Sequence, residues 1–205
     1  MTRVRRLVRL AVATELRVYG GLVRLLGRRP DVPHGAEPLR YVGAVSVLLW
    51  AFTVVSAVEL VALHLVIPWH AVRVGADVLG VWGVVWCLGF TGCHYVYPHL
   101  ATDDGLRLRA QRREPALVVP WEAIDAVRTR ERSLDSGGAV QVDDRTASIA
   151  VGKRTSLDLV LRRPLAVVVG DVTHEVDEVR VYVDDPRDVA ARVRLQIAGG
   201  APPRS

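Results

Sequence analysis

Tyr41–Ile67, YVGAVSVLLWAFTVVSAVELVALHLVI, and Ala76–Phe90, ADVLGVWGVVWCLGF, are the stretches whose reading decides the fold. A bilayer core of about 30 Å takes roughly 20 mainly apolar residues in a helix, and each run reaches that length with its flanks. Ile67-Pro68-Trp69 separates them and folds one back on the other. Residues 41–97 therefore read as a two-helix transmembrane hairpin. Outward from it, residues 1–40 read as a basic amphipathic arm and linker, 98–198 as a mainly-β soluble domain, and 199–205 as a disordered tail.

Charge divides the chain along the same lines. Residues 1–40 carry nine Arg against Glu15, Asp31 and Glu37, a net +6, while residues 41–97 carry −1 and the remainder is neutral. The overall +5 thus belongs to the arm. A nucleic-acid-binding domain needs a basic face, so no nucleic acid is expected as a partner; a basic arm suits anionic lipid. The only cysteines, Cys87 and Cys93, lie in the second apolar run, where neither a disulfide nor a metal centre is expected.

The arm opens like a signal peptide, but Arg9, Glu15, Arg17 and Arg24 interrupt every candidate apolar core and no small-residue cleavage site follows. Val4, Leu7, Val8, Ala11, Val18, Leu22, Leu25 and Leu26 instead fall at helical spacing. Such a helix lies on a membrane surface or packs on the soluble domain. Gly20-Gly21 is expected to break or bend it, and Asp31–Pro38 reads as a linker. Arginines 24, 28, 29 and 40 precede the first span and Arg107, Arg109, Arg112 and Arg113 follow the second, with only Arg73 near the connection. Positive charge stays inside, so both termini are expected in the cytoplasm. Tyr41, Trp69, Tyr95 and Tyr97 stand where an interfacial aromatic belt forms.

Four ionisable residues, Glu59, His64, Arg73 and Asp77, fall within the spans, where charge is costly. Glu59 and Asp77 sit at similar depth on either side of Pro68, so Arg73 is placed to pair with Glu59 across the hairpin or with Asp77 at i+4. Three roles are open to the set: a structural clasp, a transport or sensing site in a small oligomer, or simple snorkelling toward the outer surface. On the second helix Ala76, Gly80, Gly83 and Cys87 form a small-residue stripe for close packing on the first helix, or for a homo-oligomer contact.

Beyond Pro98 the chain turns to short β-branched segments divided by turn residues. Expected strands are 99–102, 106–110, 117–119, 126–130, 139–142, 147–151, 157–161, 165–169 and 178–183. Asp103-Asp104-Gly105 marks a hairpin turn, Ser136-Gly137-Gly138 a loop and Arg162-Arg163-Pro164 a break between strands. Asp185 as N-cap and Pro186 at the first helical position start a C-terminal helix that buries Val189, Val193 and Ile197. The pattern is a small β-sandwich or barrel closed by that helix.

Thr102-Asp-Asp-Gly-Leu-Arg-Leu-Arg109 and Val119-Pro-Trp-Glu-Ala-Ile-Asp-Ala-Val-Arg128 resemble the pleckstrin-homology-like (PH-like) domains that follow membrane helices in small actinobacterial proteins. The resemblance spans roughly residues 40–198 and implies a PH-like fold in which Trp121, Ile124 and Val127 pack into the sandwich. It implies no ligand; a loosely similar basic cluster, Arg107, Arg109, Arg112 and Arg113, is expected together with the arm arginines to meet a headgroup if lipid is bound.

Catalytic signatures are missing. Gly152-Lys153-Arg154-Thr155 lacks the first Gly and the Ser or Thr of a phosphate loop. His94 and His99 have no further ligand at metal spacing. Asp103-Asp104, Asp143-Asp144 and Asp184-Asp185 sit at turns, and His174 falls in a polar loop, 170–177. The expectation is a non-enzymatic protein, without cofactor, that holds a binding module against anionic membrane lipid or a protein partner.

Overall fold

The structure is a computed structural model that describes residues 2–135, 138–170 and 172–199. The expected loop at Ser136 and Gly137 and residues 200–205 of the expected tail lie outside them, while Gly199 is not tail but the last residue of the C-terminal helix. Two compact units result: one made of the three long helices, the other of residues 31–44 with the chain from Tyr97 onward.

In the helical unit, α1 spans Thr2–Leu26, α2 Gly43–Val66 and α3 His70–Val96, with Ile67–Trp69 as the turn between α2 and α3. Both α2 and α3 are long and apolar enough to cross a membrane. Their side chains are mostly uncovered: Val47 is 80 % exposed, Val66 76 % and Phe52 60 %. The expected break at Gly20-Gly21 does not occur, for α1 is continuous. Gly21 is where α1 meets α3. A Cβ there would stand 2.5 Å from Cys93 Sγ and 3.0 Å from the Gly89 carbonyl, and a Cβ on Gly89 would stand 2.6 Å from the Val18 carbonyl. Absent side chains let two backbones touch, and this close packing offsets glycine's cost of about 1 kcal/mol in a helix. Contacts run in the same order along both helices, Glu15 with Trp86, Val18 with Gly89 and Gly21 with Cys93, so α1 and α3 lie parallel. The N-terminal part of α1 is less covered, with Val8 and Val12 more than half exposed.

In the β unit, the presumed linker supplies β1, Glu37–Leu39, which pairs antiparallel with β2, His99–Thr102. Next come β3, Gly105–Leu108, and β4, Leu117–Pro120, completing a four-stranded sheet in sequence order. The Asp103-Asp104 turn joins β2 to β3, and Gly105 lets β4 come close, since a Cβ there would run into the Val119 carbonyl. A 3-10 turn, Trp121–Ala123, leads to the second sheet: β5 Ile124–Ser133, β6 Val140–Asp143, β7 Thr146–Ile149, β8 Arg154–Val169 and β9 Val172–Val181. Its order is β5-β8-β9-β7-β6, antiparallel except for β7 with β9. The helix α4, Pro186–Gly199, closes the chain.

Two expectations fail in this sheet. Arg162-Arg163-Pro164 does not break the chain; β8 runs through it. Pro164 lies past Leu161, where pairing with β5 stops, and within the register shift between Val160 and Leu165 on the β9 side, so its missing N–H costs no ladder bond. The supposed polar loop is strand as well: His174 pairs opposite Val167. Leu106, Leu108 and Val119 of one sheet, Ile124, Val127, Leu157 and Val179 of the other, and Val189 and Val193 of α4 share one core, with Trp121 packed at its side.

Candidate functional site

The four ionisable residues of α2 and α3 do not form the expected set. His64 Nδ1 and Asp77 Oδ2 are 2.9 Å apart, joining the two helices, while neither Glu59 nor Arg73 has an ion-pair partner among the described residues. Neither arginine pairing expected for Arg73 is made. Glu59 is exposed, its side chain turned from the seam that His64 and Asp77 share. The seam continues through Leu60 against Gly80, Ser56 Oγ with Cys87 Sγ at 3.8 Å, and the Trp50 indole donating to Tyr95 Oη at 3.3 Å. Of the small-residue stripe, Gly80 and Cys87 thus face α2. Ala76 is half-buried, and Gly83 has open space where a Cβ would point.

On the other side of α3 stand residues that spacing alone did not single out. The Trp86 indole donates to Glu15 Oε1 at 3.2 Å, the Trp82 indole to Tyr19 Oη at 2.8 Å, and Cys93 Sγ to the Arg17 carbonyl at 3.5 Å. Gly89, Gly92 and Cys93, spaced i, i+3 and i+4, were the signal of this second contact face.

The β unit separates the four arginines. Arg107 on β3 is exposed, as are Arg112 and Arg113 on the loop to β4. Arg109 is 5 % exposed. Its Nη1 donates to the Asp31 carbonyl at 2.8 Å, its Nη2 lies 3.3 Å from the Asp31 carboxylate, and burial pulls its pKa down against the pull of that carboxylate. Arg113 reaches the same carboxylate at 3.6 Å. Asp31 thus binds the segment after α1 to the loop that carries the exposed arginines.

His99 belongs to the same buried node. Its Nδ1 accepts the Arg109 amide at 2.8 Å, and its ring lies 4.4 Å from that of Tyr41, whose hydroxyl donates to the Tyr97 carbonyl at 2.9 Å. Burial drives the His99 pKa to about 3, opposed by the Tyr182 carbonyl and aided by Arg109. Asp184 Oδ1 accepts the Gly43 amide at 2.8 Å, and burial raises its carboxyl pKa. These groups are structural in geometry: each polar side chain is turned onto backbone.

No protein-family model, curated protein or solved structure matches the chain. Its function therefore rests on the geometry. Among the described residues, no three His, Cys, Asp or Glu side chains gather as metal ligands. The exposed basic loop, the exposed N-terminal part of the basic arm and the His64–Asp77 pair are the features with chemistry to offer.

Proposed function

We propose that this chain is a non-enzymatic integral membrane protein of a bacterial inner membrane, with α2 and α3 crossing the bilayer and both termini cytoplasmic. In this reading the β unit is a PH-like module that binds anionic headgroups, or a protein held close to the membrane. The uncovered apolar surface of α2 and α3 carries the proposal, because a soluble protein rarely exposes contiguous apolar patches beyond a few hundred Å². Two sheets sharing a core with a C-terminal helix, and the resemblance of Thr102–Arg109 and Val119–Arg128 to PH-like segments, support the module's assignment. Anchoring raises a weak module's effective concentration, so a loose arginine cluster suffices. Arg107, Arg112 and Arg113 are exposed on the β unit, and Arg5 and Arg9 are exposed on the arm; Arg109 is withdrawn from the β unit's cluster by Asp31.

The test uses the full chain in nanodiscs of zwitterionic lipid, with or without phosphatidylglycerol. Amide exchange in the Arg109–Ala116 loop and in α1 is expected to slow when the anionic lipid is present at low salt, and the difference to vanish at high salt, where the Debye length is about 3 Å. Equal exchange in both discs would overturn the headgroup assignment.

The His64–Asp77 contact favours a second reading, an oligomeric transporter or envelope sensor that uses a proton at this pair. Asp77→Asn separates the two. Loss of a pH-dependent phenotype at unchanged abundance favours the sensor; lowered abundance alone favours a clasp.

A further inference from the structure

Between α2 and α3, in the half of the hairpin nearest the start of α2 and the end of α3, lies a cavity of about 410 Å³. Leu48, Leu49 and Phe52 of α2 face Trp86 and Phe90 of α3 across it. Its size falls in the range of about 300–1,000 Å³ typical of small-molecule sites, and bulky side chains line it almost throughout. We propose that this cavity is a binding site for one acyl chain of a membrane phospholipid from the leaflet on the side of the chain termini. This rests on the proposal that α2 and α3 span the membrane.

Along the α3 wall of the cavity the polarity changes in the order such a lipid requires. Thr91 and His94 line it near the end of α3, whereas Trp86 lies about 8 Å deeper than Thr91 at about 1.5 Å of rise per residue. Thr91 is 1 % exposed, and its hydroxyl has no hydrogen-bond partner among the described residues. A buried hydroxyl without a partner is costly. The ester oxygens of a lipid lie at the depth of Thr91 when its tail points toward the bilayer centre, and they accept a hydrogen bond. The walls are also shaped for a chain rather than a helix. A second copy's helix, about 10 Å across, docks on small residues, whereas here Phe90 stacks on Trp86 at 5.3 Å and fills the floor with aromatic rings.

The probe is phosphatidylethanolamine carrying a diazirine on one acyl chain, incorporated in nanodiscs with the full protein and mapped by mass spectrometry after irradiation. Adducts on Phe52, Trp86 and Phe90 are expected to exceed those on exposed Val58 and Val81 by about tenfold, a preference of about 1.4 kcal/mol. Leu49→Trp, which fills the cavity, is expected to bring the Phe90 adducts down to the Val81 level. Uniform labelling, or labelling unchanged by Leu49→Trp, overturns the site. Cross-links between two copies through Leu48→Cys and Phe90→Cys, without lipid adducts, overturn it in favour of a dimer. The wild-type pattern stands by itself should Leu49→Trp fail to fold. Alkaline carbonate extraction of native membranes keeps the premise separate: release of the chain rejects the spanning helices, while retention with uniform labelling rejects the lipid site alone.

Discussion

At His99, an imidazole buried completely, with Nδ1 already accepting the Arg109 amide, has no place for a second proton. Its folded pKa of about 3 lies below the ordinary 6.5, so the unfolded chain binds the proton first as pH falls. The stability linked to this group is whole above pH 6.5 and drains away toward pH 3, by up to about 5 kcal/mol over that window. Asp184, with its carboxyl pKa raised by burial, acts in the opposite sense and gains from acidification near its titration. Denaturation midpoints of the full chain in detergent should therefore fall between pH 6.5 and 3, and His99→Gln should flatten the slope. Asp31→Ala leaves the Arg109 guanidinium buried without its carboxylate and should cost about 3–5 kcal/mol; protection of β2 and β3 amides from exchange reports the loss. Neither role is legible in the sequence, since Asp31 stands in a Pro/Gly-rich stretch and the spacing of His99 from His94 suggests nothing beyond a metal ligand. Ile124 and Val127 enter the core and Trp121 packs at its side, as the resemblance of their segment implies; the irregularity of β5 between Ile124 and Ala126 that brings Ile124 and Val127 to one face is not legible.

Helices and strands show which local signals survive packing. Adjacent Gly20 and Gly21 look alike in sequence, yet a Cβ on Gly20 meets nothing within 4 Å while one on Gly21 strikes Cys93. Gly20→Ala should be neutral or stabilise by up to about 1 kcal/mol, and Gly21→Ala should loosen α1 from α3. Limited trypsin digestion after Arg17 and Arg24 measures this, the Gly21 variant being cut faster than the Gly20 variant. An equal rate would mean that packing of α1 on α3 does not hold the arm. The small-residue stripe lies on the expected helix but only half of it faces α2, because α3 uses one face for α2 and another for α1. Pro164 misleads for a related reason: proline breaks a strand only where the ladder needs its N–H, and whether a neighbouring strand is present there depends on residues far along the chain.

For the whole molecule, the hairpin's apolar faces make a simple demand. The full chain expressed in bacteria should remain in the membrane pellet through alkaline carbonate, and replacing Val54 and Val58 by Arg on the exposed face of α2 should release it or block its accumulation, at a cost of about 2.5–3.5 kcal/mol per charge near the helix centre. Retention unaffected by both charges would mean that this face of α2 does not meet lipid. The sequence alone determined that two helices of spanning length exist, that short strands follow, and that a C-terminal helix starts at Pro186, because hydropathy, turn chemistry and capping are local properties of neighbouring residues. Only the tertiary structure decided that residues 37–39 are an edge strand, that α1 lies along α3, that His64 rather than Arg73 meets Asp77, and that Arg109 is buried on Asp31. Those pairings depend on which distant segments come within reach of one another and on which charge is desolvated there, and spacing along the chain encodes neither.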